Sequence, residues 1–518
     1  MFHDIVESFD DRFMTIPRSL KTRPNKTVLA AIDMGSNSFR LEISELDDGH
    51  LRRLQYLKEA VRQGAGLDKD RNLTQESMQA GWACLARFAE RLQGFNADHV
   101  SAVATQTLRE AKNSEVFQKE AERILGFPID IVSGKEEARL IYQGVSYFLP
   151  QNAERRLVID IGGRSTEFIF GLGNQPQQMD SYRVGSVSWA SKYFASGSLK
   201  SDAFKQAEVA AASFLEEAHG ALKEVSWDKV YGSSGTIGAV SELLSANQLG
   251  VTTQYEVSLE GLLELKQILL DAGHIDKVRL EGLKDDRRPV LAGGLAVLLA
   301  IFRLFNLKQI EAAEGALRHG VLFELASLDG HRNDLKEQTV AALVRRFSVD
   351  AVQAERVGKV ARYIFSSLTD GLTLREDAEQ QLVWAARLHE IGASVSHENS
   401  HRHGAYILEN TDAVGFSRSD LHRIGQLVLG QRGKIRKLEA DLDNDELVLQ
   451  LVSLRLAVIL AHARTEPRYF SVSYKLAGKR KIKLTLGDDW AEQFPQSQFL
   501  LSQEQLAWEK TNWSIAIN

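Results

Sequence analysis

Two short runs of this 518-residue chain follow one plan. Residues 28–39 read VLAAIDMGSNSF and residues 156–168 read RLVIDIGGRSTEF. Each gives an apolar strand, an Asp, an apolar residue, a Gly, a loop of small or polar residues and the start of a second strand. The aspartates, Asp33 and Asp160, are too far apart for a solenoid repeat. Each copy lies in its own stretch of alternating β-branched runs and helical periods, which is the pattern of an α/β fold. Two related lobes facing one cleft account for the echo.

In each copy the Gly after Asp predicts a turn with φ > 0 in which backbone N–H groups approach a ligand closely. Successive amides in such a turn form a nest for phosphate oxygens. Ser36, Asn37, Ser38, Ser165 and Thr166 add side-chain donors. Asp33 and Asp160 only accept, and suit a metal ion or a water better than bare phosphate. Mg²⁺ reconciles the two, because it keeps waters and one or two carboxylates beside substrate phosphates. For either hairpin taken alone, an ordinary Asx turn is the competing explanation. A third loop, Gly232-Ser-Ser-Gly-Thr236, follows a short apolar run and opens into a helical period over 237–244. A strand, a glycine loop and a helix N-terminus make a phosphate cradle. The loop lacks the Lys of a Walker A motif, which excludes that class of NTPase.

Between the hairpins stands SGKEEARLIYQGVSYF. Ser133 and Glu136 have the spacing of a capping box, and Ala138, Ile141, Val145 and Phe148 trace a helical stripe. Glu137 is left unexplained by the cap; it is either a solvated first-turn glutamate or a general base toward water. Arg109, in TQTLREA, follows a strand-like run and is either a surface arginine or a bidentate fork for phosphate. Glu167 lies seven positions beyond Asp160, from where flanking strands would turn it back toward the same metal.

Length fits about three or four domains at a prior of ~150 residues each. Cys84 is the only cysteine, so an intramolecular disulfide and a Cys-rich metal site are excluded. The most apolar stretch, 291–302, is well short of the ~20 residues a membrane helix needs. Residues 1–13 begin acidic and lack the apolar core of a secretory signal, which predicts a cytoplasmic protein with no membrane span. A net charge of −6 gives no global pull on a polyanion or a nucleic acid, so a phosphate-rich ligand needs local clusters. Residues 1–26 read as a tail. Helical patterns dominate from about 335 to 463, with His389, His397, His401, His403 and His422 among them, read as structural or anion-facing rather than as metal ligands. After Pro467 strand-like runs return around one helix. Basic clusters at Arg432, Lys434, Arg436 and Lys437, and over 479–483, are solvated faces or guides for a long anion.

In this order, AAIDMGSNSF, TQTLREA, SGKEEARLIYQGV, VIDIGGRSTEF, GSSGTI and EGALRHGVL resemble the exopolyphosphatase and guanosine pentaphosphate phosphohydrolase family, over essentially the whole chain from Thr27. The resemblance implies an α/β protein with two actin-like, ribonuclease H-like lobes (27–140 and 141–325). It also implies a helical domain similar to His-Asp phosphohydrolases (326–464) and a small C-terminal α+β domain (465–518). The implied reaction is attack of water on a terminal phosphoanhydride of inorganic polyphosphate, or of guanosine pentaphosphate to give the tetraphosphate, with release of orthophosphate. By motif position Glu137 is then the base and Arg109 a catalytic phosphate ligand. Asp160 and Glu167, with Asp33, serve Mg²⁺, alone or together with a monovalent cation. Ser36, Asn37, Ser38, Gly162, Gly163, Ser165, Thr166, Gly235 and Thr236 bind phosphates. A homodimer is implied too. One departure stands out: Arg164 occupies the third glycine of the family's Asp-x-Gly-Gly-Gly-Ser-Thr run, where it either binds phosphate directly or narrows the site. A weakened alarmone-binding regulator and an ATP-dependent sugar kinase or chaperone-like ATPase are the rival readings on the same fold.

Overall fold

Neither strand of the echo alternates between apolar and polar residues, and each becomes a central strand covered on both faces. The computed structural model describes all residues except 1–13, 16–26, 48–49, 150–151, 251–255, 327–330, 376, 412, 414–415, 417, 436, 439–441 and 467–470. Two compact units result, Met1–Arg332 and Asn333–Asn518. The tail expected over 1–26 lies outside the described residues except for strand β1 (Met14–Thr15).

In the first unit β2 (Thr27–Met34), β3 (Phe39–Asp47), β4 (His50–Glu59), β5 (Val100–Ala104) and β6 (Ile129–Ile131) form a sheet with β1, in the order β1-β4-β3-β2-β5-β6. Helices α1 (Gln75–Arg91), α2 (Gln106–Glu110) and α3 (Ser114–Leu125) accompany it, followed by α4 (Gly134–Tyr147). The second sheet is built from β7 (Arg155–Ile161), β8 (Thr166–Leu172), β9 (Gln175–Tyr182), β10 (Lys229–Ser233), β11 (Glu256–Ser258) and β12 (Gln309–Ala312). Its order is β11-β12-β10-β7-β8-β9. Around it run α5 (Ser186–Tyr193), α6 (Ser201–Leu222), α7 (Ser234–Ala246), α8 (Leu259–Ala272), α9 (Leu291–Leu304) and α10 (Leu317–Ala326).

The two sheets share one topology. β2 pairs antiparallel with β3 and parallel with β5, and β7 pairs antiparallel with β8 and parallel with β10. Ligands in such sheets gather outside the carboxyl ends of the parallel strands, where the order reverses. Asp33 and Asp160 stand near those ends.

Helices α4 and α10 fill the space between the sheets. Leu140, Ile141 and Val145 of α4, with Leu317, Val321 and Leu322 of α10, share a core with Leu29, Ala31 and Val103 of one sheet and Val158, Ile169 and Tyr231 of the other. The boundary drawn at 140/141 therefore falls inside a helix that serves both sheets. The helices touch through glycine: a Cβ on Gly144 would collide with the Ala316 carbonyl, and one on Gly320 with the Leu140 carbonyl. The apolar stretch 291–302 is the buried face of α9. Among the described residues no helix is long and apolar enough to cross a membrane.

The second unit holds helices His331–Arg346, Ala351–Thr369, Ala378–Arg387, Ser400–Glu409, Arg418–Gly430 and Asp445–Leu460, then β13 (Val472–Leu476), β14 (Lys481–Leu486), helix Pro495–Trp508 and β15 (Ser514–Ile517). Strict alternation in VSYKL and KIKLTL puts Val472, Tyr474, Ile482 and Leu484 in the core that Trp384, Phe416 and Leu451 line. A buried Arg455–Glu504 pair, with Nε at 2.5 Å from Oε1, ties helix Asp445–Leu460 to helix Pro495–Trp508. Helices and sheet here enclose one core.

Candidate functional site

Both Asp-Gly hairpins, the third loop and the start of α10 line one cavity of about 250 Å³. The hairpin tips face each other: a Cβ on Gly163 would sit 3.0 Å from Ser36 Cβ and 3.5 Å from the Asn37 nitrogen. Such contact leaves no room for a side chain. The sequence argument for these glycines was a turn with φ > 0, and the backbone differs. Gly35, Gly162 and Gly163 are not among the positive-φ residues. Their neighbours are close, the nearest heavy atoms to a Cβ lying at 3.0–3.1 Å, and Arg164 is likewise not among the positive-φ residues. Positive φ falls instead on Ser234, at 91°, where the third loop enters α7.

Register makes the two hairpins comparable residue by residue. Asp33 stands opposite Arg40, and Asp160 opposite Glu167. In the first hairpin Arg40 Nη1 lies 2.7 Å from Asp33 Oδ2, so the charge of Asp33 is answered inside its own hairpin. Burial works against the Arg40 cation, but Asp33 holds its pKa above the ordinary value. In the second hairpin two carboxylates meet. Burial pushes Asp160 up to about 7, helped by the charges of Glu137 and Asp33. Burial and then the charges of Glu137 and Asp160 raise Glu167 well above the carboxylate range. Ser181 Oγ donates to Glu167 Oε1 at 2.7 Å, and Oε2 is buried without a hydrogen-bond partner. Asp160 lines the cavity; Glu167 lies behind it.

Glu137 also lines the cavity and is 7% exposed. The cap expected at Ser133 forms, with Ser133 Oγ accepting from the Glu136 nitrogen at 3.1 Å. The Glu136 carboxylate goes to Arg139, so Glu137 alone of the pair turns to the cleft. Arg109 Nη2 stands 2.8 Å from Glu137 Oε2, at ion-pair distance but outside hydrogen-bond geometry. Burial raises the Glu137 pKa against the opposing pull of Arg109. A raised pKa makes the carboxylate a better proton acceptor than an ordinary one.

Other expected ligands are placed less directly. Arg109 is not a lining residue; its guanidinium serves Gln106, the Val132 carbonyl and Glu137. Arg164 is also absent from the lining and is bound to Glu110 and the Gly64 carbonyl. Thr166 is fully buried and donates to the Val184 carbonyl. Ser36, Asn37, Ser38, Gly162, Gly163, Ser165, Gly235 and Thr236 all line the cavity.

Three cavity-lining cations, Arg40, Lys58 and Arg287, had no place in the sequence reading, and a fourth, Arg318, entered only within EGALRHGVL with no role given. Burial and the neighbouring Arg40 lower the pKa of Arg287, and burial, with Arg287 adding to it, lowers that of Lys58. Like charges held this close favour a polyanion between them. Arg287 packs on Gly235, where a Cβ would collide with its guanidinium. Arg318 Nε donates to the buried Glu42 at 2.7 Å. His319 backs that pair: its Nδ1 accepts from the Ala316 nitrogen at 3.0 Å, which leaves the Nε2 proton facing Glu42 at 3.5 Å. Arg40 had a signal, being the echo's counterpart of Glu167. Lys58 and Arg287 reach the cavity from distant segments and left none. A second cavity of about 160 Å³ adjoins the first through Lys58, Gly235 and Arg287 and is walled by Ala239, Leu243 and Leu283.

For Mg²⁺ the donors fit on the side of the second hairpin, where two carboxylates face each other across the ladder and one Glu167 oxygen is buried without a hydrogen-bond partner. Among the described residues no three His, Cys, Asp or Glu side chains group as a fully protein-made metal site would. Mg²⁺ does not need one, since waters and substrate phosphates complete its shell. In the second unit His389 is buried with Nδ1 on the Ala386 carbonyl at 2.7 Å, and His422 Nδ1 lies 3.2 Å from Glu409.

Comparison with known proteins gives the same outline. The model of the Ppx/GppA phosphatase family matches residues 42–328, and that of Ppx/GppA phosphatase domain III matches residues 335–505. An exopolyphosphatase from Cytophaga hutchinsonii aligns at 23% identity over 58% of this chain and 98% of its own, with a TM-score of 0.53. An exopolyphosphatase-like protein aligns at 23% identity over 58% of this chain and 97% of its own, with a TM-score of 0.52. At such identity these likenesses speak to the fold.

Proposed function

This chain belongs to the Ppx/GppA phosphatase family, and from that membership we propose that it hydrolyses the terminal phosphoanhydride of inorganic polyphosphate and releases orthophosphate. The observation that carries the reading is Glu137, a buried carboxylate with a raised pKa in the cavity that both hairpins line. Water held beside Glu137 gives up its proton to the carboxylate as its oxygen attacks the terminal phosphorus. The anhydride bond breaks, and the shortened chain leaves. Arg109 keeps Glu137 oriented and ready to lose that proton again. The hairpin backbones and Ser36, Asn37, Ser38 and Ser165 bind the terminal phosphate, and Arg40, Lys58, Arg287 and Arg318 hold the following ones. Asp160, with Glu167 behind it, would hold Mg²⁺, which when bound supplies positive charge to the phosphate oxygens. In the second unit the exposed Arg432 and Lys434 and the strand Lys481–Leu486 are candidate holds for a long chain, in a homodimer.

Guanosine pentaphosphate is the second reading, favoured by the adjoining 160 Å³ cavity beside Gly235. It offers aliphatic walls for a nucleoside and shares the cations of the phosphate site. The test is orthophosphate release by the purified protein with Mg²⁺, from long-chain polyphosphate and from guanosine pentaphosphate in parallel. Faster turnover of polyphosphate is expected. Strong preference for the nucleotide reverses the ranking, and nucleotide binding without any turnover makes the protein a regulator. Glu137→Gln should lower kcat by about 10² to 10⁴-fold with substrate still bound, the range seen when a positioned general base is lost.

A further inference from the structure

The side chain that fills the third-glycine position makes a connection that none of the assigned roles uses. Arg164 leaves the second hairpin and spends its guanidinium on the first lobe. Nε and Nη2 donate to Glu110 Oε2 at 3.0 and 2.6 Å, and Nη1 donates to the Gly64 carbonyl at 2.9 Å. Both acceptors lead to the chemistry. The Gly64 nitrogen donates to the Ser36 carbonyl at 2.7 Å, which ties it to the tip of the first hairpin. Glu110 Oε1 accepts from Gln106 Nε2 at 2.7 Å. Gln106 Oε1 in turn accepts from Arg109 Nε and Nη2 at 3.1 and 2.8 Å, and Arg109 Nη2 stands 2.8 Å from Glu137.

Gln106, Arg109 and Glu110 share one helix of five residues with no side-chain cap. A helix so short has little rigidity of its own, and outside ties set its orientation. Arg109 has one such tie in the Val132 carbonyl, at 2.7 Å. Thr107 Oγ1 makes another, donating to Ser36 Oγ at 2.7 Å, and a further one comes across the cleft from Arg164. Glu110 is suited to hold it: burial opposes its charge, yet Gln106 and Arg164 keep its pKa below the ordinary value. The exposed Arg183 approaches Glu110 only to 3.9 Å, beyond hydrogen-bond reach.

We propose that Arg164 is a positioning residue: through Glu110 and Gln106 it makes docking of the second hairpin on the first lobe the condition that seats Arg109 against Glu137. This rests on Glu137 being the base. Arg164 touches no substrate, and its role is to couple closure of the cleft to readiness of the site.

The experiment compares Arg164→Gln and the near-isosteric Glu110→Gln, alone and combined with Arg109→Gln, on polyphosphate with Mg²⁺. Each single change should lower kcat about tenfold with KM changed by less than about threefold, as expected for a misplaced group rather than a lost phosphate ligand. In the Arg109→Gln background either change should add little, because the path is already cut. A rise in KM with kcat intact, or full additivity with Arg109→Gln, overturns the proposal. A readout free of activity runs beside it. The buried Cys84 leaves introduced cysteines as the labelling sites, so spin labels at Ala86→Cys on α1 and Ser213→Cys on α6 report the distance between lobes. Arg164→Gln should broaden that distribution toward longer distances, and an unchanged distribution overturns the proposal. If the wild type turns over no phosphoanhydride, the functional reading fails while the distance measurement still decides the coupling.

Discussion

The two hairpins are alike in backbone and different in charge. Each presents an Asp at the end of a central strand and a partner directly across the ladder, but the partner is Arg40 in the first lobe and Glu167 in the second. The first hairpin neutralises itself, with Arg40 on Asp33, while the nearby Lys58 and Arg318 are paired with Asp286 and Glu42. The second concentrates negative charge and calls for a cation to relieve it. On the proposed reading, one duplicated scaffold thus offers complementary halves, one for the anion and one for Mg²⁺.

Making the hairpins alike should do the most damage. Arg40→Glu turns the first into a copy of the second and should lower kcat/KM by more than about 100-fold through an unpaired buried charge. Far-UV circular dichroism checks that the fold survives, and a loss below about threefold would break the contrast. Next come the single neutralisations, which separate the two roles. Glu167→Gln should raise the Mg²⁺ concentration for half-maximal orthophosphate release by about tenfold at unchanged polyphosphate KM, and Arg40→Gln should do the reverse, each about 1.4 kcal/mol of binding. If both move the same parameter, the halves are not specialised.

The smallest effect is on stability without metal. A carboxyl whose pKa is raised to about 7 binds its proton more tightly in the folded chain than in the unfolded one. Stability is therefore fullest below the unfolded value, near 4, and declines as pH rises through the folded one. In the presence of a chelator the Tm should fall by several degrees between pH 4.5 and 8, and Asp160→Asn should flatten that fall, as calorimetry would register. A wild-type Tm that climbs over this interval would place the uncompensated charge elsewhere.

Local signals carried far. The hairpins were legible because strand, Asp, Gly, turn and strand lie within a dozen residues, and the separation of Glu136 from Glu137 followed from a cap four residues long. The phosphate-facing cations were not legible. Lys58, Arg287 and Arg318 come from a strand edge, a loop and a helix start, and only the meeting of the lobes gives them a common purpose. Arg164 shows the same limit: beside a phosphate loop it reads as a ligand, whereas its partners, Gly64 and Glu110, sit on the opposite lobe.

The glycine contact between α4 and α10 has a mechanical corollary. Gly144 and Gly320 let the two backbones meet, so a side chain at either position would push α4 and α10 apart. Glu137 rides near one end of α4 and Arg318 near the start of α10. On the proposed reading the general base and an anion-holding arginine thus flank one backbone contact, and a change that parts the two helices displaces both.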